Sequence, residues 1–268
     1  MLKQRIITAL ILLPIALCGF FLLEGAGFAL FIALVVTLGA WEWARLAGFA
    51  AQPQRVAFAV LVAAALFLMH TFPGLAPWVL GAAVLWWVVA TFLVLTYPRT
   101  APLWSSAACK LLIGLLILLP AWQGLVLIKQ YPLGNWLIMA VMVLVWGADI
   151  GAYFSGRAFG KRKLAPQVSP GKSWEGVYGG LLLSLLITLA VGVVREWGVA
   201  QMLSGLIGAA VVVLISVVGD LTESMFKRQA GIKDSSNLLP GHGGVLDRID
   251  SLTAAVPVFA VLLWMAAS

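Results

Sequence analysis

Acids, bases and glycines gather in two stretches of a chain that is otherwise almost bare of chemistry. Seven of its ten acids, Asp149, Glu175, Asp220, Glu223, Asp234, Asp247 and Asp250, fall in or beside residues 149–176 and 220–250. Arg157, Lys161, Arg162, Lys163, Lys172, Lys227, Arg228, Lys233 and Arg248 lie among them. Carboxylates converging near bases, with no cysteine cluster, suit a hard oxygen-binding cation. Mg²⁺ commonly bridges one or two protein carboxylates to phosphate oxygens.

In the first stretch, Asp149 closes an apolar run, where a carboxylate is costly unless it is paired or holds a metal. Small residues follow, then the bases, then Ser169-Pro-Gly-Lys-Ser173 and Glu175. Ser169 reads as an N-cap with Pro170 in the first helical position. The free N–H groups of such a helix start, with Lys172 beside them, suit a phosphate. Gly171-Lys-Ser173 imitates the end of a P-loop, but Pro166 stands where that loop needs glycine, so a P-loop NTPase is rejected. In the second stretch, Asp220 and Glu223 share a helix face, as do Asp247 and Asp250. Between the two pairs, Gly241-His-Gly-Gly244 is backbone that can wrap a ligand closely. His242 either touches the ligand, where it can transfer a proton near neutral pH, or holds the turn.

The elements that position these groups follow from composition. The 268 residues are 63% hydrophobic and 10% charged, against about 25% charged in soluble domains. Lipid must be the solvent, and lipid admits only helices or closed barrels. The apolar runs do not alternate as barrel strands do, and they approach the roughly 20 residues of a spanning helix. The expected fold is an all-α, polytopic transmembrane protein of about nine spans, with its active site at cytoplasmic helix ends. The spans are 6–23 (retained rather than cleaved as a signal peptide), 27–43, 56–72, 78–97, 111–128, 135–154, 177–194, 202–219 and 251–267. Trp41, Trp43, Trp78, Trp104, Trp122, Trp136 and Trp197 near their ends suit the headgroup layer. His70, Glu24 and Glu42 also read as interfacial.

With nine spans, fifteen bases fall on one side, including Lys3, Arg5, Arg45, Arg55, Arg99 and Lys110, and only Lys129 and Arg195 on the other. The positive-inside rule then places the N-terminus and both polar loops, 155–176 and 220–250, in the cytoplasm. The chain divides into N-terminal membrane helices, 1–134, and a catalytic membrane region, 135–268.

Ser224 to Asp250 resembles the signature of the phosphatidate cytidylyltransferases, also called CDP-diacylglycerol synthases. Its serine, Lys227-Arg228, Lys233-Asp234, Pro240-x-His-Gly-Gly244 and Asp247-Arg-x-Asp250 stand at the signature's intervals. The family's upstream Ser-Pro-x-Lys-[Ser/Thr]-x-Glu-Gly block appears at Ser169 to Gly176. The resemblance covers about 149–250. It implies transfer of a cytidylyl group from CTP to phosphatidate in the bilayer, releasing pyrophosphate, with Mg²⁺ and room for a second cation. It implies a metal on Asp220 and Asp247, with Asp250 or Asp149. Lys227, Arg228 and His242 join Asp220 and Asp247 as catalytic candidates. Ser169, Lys172, Ser173, Glu175, Ser224, Lys233, Asp234, Gly243, Gly244 and Arg248 are expected to bind substrate. A homodimer in a bacterial inner membrane, without a nucleic-acid partner, completes the expectation. A CTP-using enzyme acting on another membrane lipid is the alternative. A transporter fits less well, because it would carry charges or broken helices near the midplane.

Overall fold

The computed structural model describes residues 2–267, apart from the side chains of residues 2–6, 9 and 267. Lys3 and Arg5, two of the bases used for orientation, have side chains outside the described residues. In chain order the helices are α1 (Leu2–Leu22), α2 (Gly25–Leu46), α3 (Gln52–Thr71), α4 (Ala76–Thr96), α5 (Ala107–Lys129), α6 (Gly134–Phe159), α7 (Trp174–Val194), α8 (Val199–Gln229) and α9 (Leu246–Ala267). Among the described residues, eight helical segments are long and apolar enough to cross a membrane, and α1 adds the shorter apolar stretch Leu10–Leu22. A small antiparallel hairpin, β1 (Lys163–Ala165) and β2 (Ser169–Ser173), joins α6 to α7.

Helices α6 and α7 pack closely because glycines line their contact. A methyl group at Gly180 would sit 2.5 Å from the Ala148 carbonyl oxygen, and one at Gly151 equally close to that of Gly179. In lipid, such close backbone approach is a main source of helix association. A second anchor lies where α2, α5 and α8 meet. The Phe226 ring is 4.8 Å from Trp43 and 4.6 Å from Trp104, centroid to centroid. Trp43 Nε1 donates to the Lys110 carbonyl at 2.7 Å.

This anchor corrects the interfacial reading of Trp43, Trp104 and Trp122. All three are buried, and their bulk fills the core between helices. Trp78 and Trp136 do remain exposed.

The polar loops are also shorter than hydropathy predicts. Helix α6 continues to Phe159, α8 continues through Asp220 to Gln229, and α9 begins at Leu246. Hydropathy ends a span where charges begin. Helical hydrogen bonding does not, and the residues from Leu221 to Lys227 are buried against neighbouring elements. Asp220, Glu223 and Lys227 therefore stand on a rigid helix rather than a loop.

Candidate active site

One end of the bundle carries the hairpin and residues 230–245, and the candidate residues converge there. Lys172 on β2 forms an ion pair with Asp220 on α8, both side chains being half-buried. Ser224, one turn along α8, donates to Asp220 Oδ1 at 3.3 Å. Asp149 on α6 stands within electrostatic reach of Lys172 and Asp220. Asp250 on α9 is within electrostatic reach of Asp220, Lys172 and Lys227. Four elements thus bring Asp149, Lys172, Asp220 and Asp250 together.

Beside them lies a cavity of about 390 Å³ between α6, α7 and α8. Asp149, Arg157 and Lys172 give it a charged side, while Val177, Val213 and Val217 give it an apolar wall.

Asp247 is committed differently. Its Oδ2 accepts the Ser235 N–H at 2.9 Å, the Ser235 hydroxyl at 2.8 Å and the Gly244 N–H at 2.7 Å. Its Oδ1 accepts Lys227 Nζ at 2.8 Å. The same ammonium lies 3.1 Å from Glu223 Oε1, outside hydrogen-bond geometry. Asp247 and Lys227 therefore lock the glycine loop to α8, and among the described residues Asp247 Oδ1 accepts no second hydrogen bond.

The loop's glycines are required by its shape. Gly243 has φ +85°, in the left-handed region, and a methyl there would crowd Asp247 Oδ2 at 2.7 Å. His242 donates its backbone N–H to the Leu239 carbonyl at 2.8 Å, while among the described residues its buried Nδ1 has no hydrogen-bond partner. Lys233, Asp234 and Arg248 are exposed around the loop.

The upstream block builds the hairpin. Ser169 lies in β2, opposite Ala165, rather than capping a helix. The helix starts four residues later, where Ser173 caps α7 by accepting the Gly176 N–H at 3.2 Å. The expected phosphate-binding helix start at Ser169 is therefore absent. Pairing with β1 extends residues 169–173 instead, and this turns Lys172 toward Asp220.

Glu175 accepts the N–H groups of Lys161 and Arg162 and the Arg162 side chain, pinning the hairpin to α7. Its hydrogen bond to Glu175 holds the Arg162 pKa above the usual arginine value. Arg228 Nε donates to the Val168 carbonyl at 3.0 Å, pinning the hairpin to α8.

The N-terminal half contributes more than expected. Glu42 is fully buried against residues 235–246, which overturns its interfacial reading. Arg45 donates to the Ser235 carbonyl at 3.1 Å, and Thr8 to the Pro240 carbonyl at 2.8 Å. A usable signal was present: a carboxylate inside an apolar helix demands a partner, the argument already applied to Asp149.

The whole chain has relatives. Residues 3–266 match the model of the cytidylyltransferase family. This chain belongs to that family. It is 72% identical to the phosphatidate cytidylyltransferase of Pseudomonas aeruginosa over 266 residues, covering 99% of this chain and 98% of the relative. The phosphatidate cytidylyltransferase of Haemophilus influenzae is 43% identical over 281 aligned positions, covering 97% and 98%. That of Brucella suis is 46% identical over 138, about half of each chain. Family membership therefore extends to the N-terminal helices, beyond the 149–250 stretch that carried the resemblance.

Proposed function

We propose that this family member transfers the cytidylyl group of CTP to phosphatidate, giving CDP-diacylglycerol and pyrophosphate. The observation that carries the reading is the convergence of Lys172, Asp220, Asp149 and Asp250 beside a cavity with one charged and one apolar side. The names of the relatives support the same substrates.

A phosphatidate phosphate oxygen attacks the α-phosphorus of CTP. The bond to the β-phosphate breaks, and its electrons leave with pyrophosphate. Catalysis of this kind depends on holding the reactants in line and neutralising charge. In this reading Lys172 and Arg157, which line the cavity, and exposed Arg228 receive phosphate oxygens. The apolar wall suits the glycerol end of the lipid, while its acyl chains stay in the bilayer.

The donor set fits Mg²⁺. Among the described residues no three His, Cys, Asp or Glu side chains form a metal cage. Mg²⁺ rarely uses one, taking one or two carboxylates, water and substrate phosphates. Asp220, with Asp149 or Asp250, would hold it, and Asp247 Oδ1 accepts no hydrogen bond besides that of Lys227 among the described residues. When bound, the metal would neutralise charge on the nucleotide phosphates. Lys172, which pairs with Asp220 and lines the cavity, would add positive charge beside the same phosphates.

The reading includes a homodimer in a bacterial inner membrane, with the site facing the cytoplasm. The one-sided distribution of bases supports that orientation. Purified protein given CTP and phosphatidate should release pyrophosphate only with a divalent cation. Release without phosphatidate, or turnover only with a different lipid acceptor, would overturn the substrate assignment.

A further inference from the structure

We propose that Glu42, on α2, is a positioning residue for cytidylyl transfer, a role that rests on the functional reading above. Its carboxylate is fully buried and sits far in sequence from the loop it holds. Oε1 accepts the Ser236 hydroxyl at 2.5 Å and the Val245 N–H at 3.0 Å. Oε2 accepts the Leu246 N–H at 2.7 Å and lies 3.2 Å from the Ser235 hydroxyl. Leu246 opens α9, so Glu42 supplies from a neighbouring helix the negative charge that a helix N-terminus favours.

Every one of these donors belongs to the segment that carries the glycine loop. The link to the reacting groups runs through Ser235. Its hydroxyl sits between the two carboxylates, 2.8 Å from Asp247 Oδ2 and 3.2 Å from Glu42 Oε2, and they share its one proton. Asp247 in turn holds Lys227. Gly244 is pressed into the same junction, where a methyl would collide with Ser235 Oγ and the Glu42 carboxylate. The sequence 235–247 is thus clamped between two carboxylates, one from α2 and one from its own α9.

Glutamine cannot replace this clamp. The Val245 and Leu246 N–H groups point at different oxygens of Glu42. Whichever way an amide is turned, one N–H faces an NH₂ group. The loop must shift to relieve it, and Asp247 and Lys227 shift with it.

The test uses full-length Glu42→Gln, Ser235→Ala, Ser236→Ala and the Glu42→Gln/Ser235→Ala double variant, with elution profile and helical circular dichroism checked first. Per folded molecule, Glu42→Gln is expected to lower kcat on the order of 10- to 100-fold and to leave KM for phosphatidate within about threefold. Ser236→Ala should lower kcat a few-fold. The double variant should lose little more than the worse single variant, because both act through the Ser235–Asp247 link.

Wild-type kcat in a folded Glu42→Gln variant, or losses that multiply in the double variant, would overturn the proposal. Should Glu42→Gln fail to fold, the serine variants decide: reduced kcat in both supports it, and wild-type kcat in both overturns it. A wild type that does not turn over CTP and phosphatidate would overturn the functional reading itself, and the role of Glu42 with it.

Discussion

The bundle has a polar cluster at each end, and the two are built on different balances. At the end away from the hairpin, Lys129 is buried with three acceptors. Two are hydrogen-bonded, the Phe20 carbonyl at 2.6 Å and Asn135 Oδ1, and the third, Glu24 at 3.1 Å, is an ion-pair partner. One ammonium faces one carboxylate, so this cluster is closed in charge. A cavity of about 370 Å³ lies beside it, lined in part by Glu24, His70 and Gln123. At the hairpin end, five carboxylates, Asp149, Asp220, Glu223, Asp247 and Asp250, share two ammonium groups, Lys172 and Lys227. By formal charge that cluster holds more carboxylates than ammonium groups. Exposed bases surround it, including Arg157, Arg228, Lys233 and Arg248. Surplus carboxylates leave room for a cation and exposed bases leave room for phosphates, so under the proposed function charge balance is what separates the two clusters.

The comparison can be tested from its largest expected effect to its smallest. Lys227→Met leaves Asp247 and Glu223 buried without their cation. Breaking a buried pair costs about 3–5 kcal/mol, so denaturation in detergent should show a large loss of stability, and turnover should vanish. Stability like wild type would mean that Lys227 does not hold the cluster together.

Asp220→Asn changes a half-buried group and should fold normally. Pyrophosphate release should fall about 100- to 1,000-fold, the scale for removing one preorganised transition-state contact. Ser173→Ala removes only the α7 cap and should cost about 1 kcal/mol of stability, with a smaller loss of turnover than Asp220→Asn. A loss of turnover as large as that of Asp220→Asn would place Ser173 on the substrate instead. Glu24→Gln, at the closed end, removes an ion pair whose acid is largely exposed. It should change stability by no more than about 1 kcal/mol and leave turnover within about twofold. A collapse of turnover there would mean that the two ends are coupled.

Much of this was legible in the sequence. Apolar runs gave the helices their order, because in lipid each must satisfy its own backbone. The polar signature gave the site its membership, because so few polar residues occur elsewhere. Three features were not legible. Hydropathy ended α8 at Gly219, although Asp220 to Gln229 remains helical through burial of its far face. Ser169-Pro170 imitated a helix start, but strand pairing with Ala165 decided otherwise. Glu42 signalled that it needed a partner but not which one, since its partners lie about two hundred residues away and only the packing of α2 on the loop brings them together.

The most direct test of the contrast between the two ends is binding of Mn²⁺, as a spectroscopic substitute for Mg²⁺, in the presence of CTP. Electron paramagnetic resonance of the full-length protein reports it without requiring turnover. The charge balance predicts CTP-dependent Mn²⁺ binding in wild type and in Glu24→Gln, and its loss in Asp220→Asn. Undiminished binding in Asp220→Asn, or equal loss in Glu24→Gln, would contradict the assignment of the open cluster as the metal and nucleotide site.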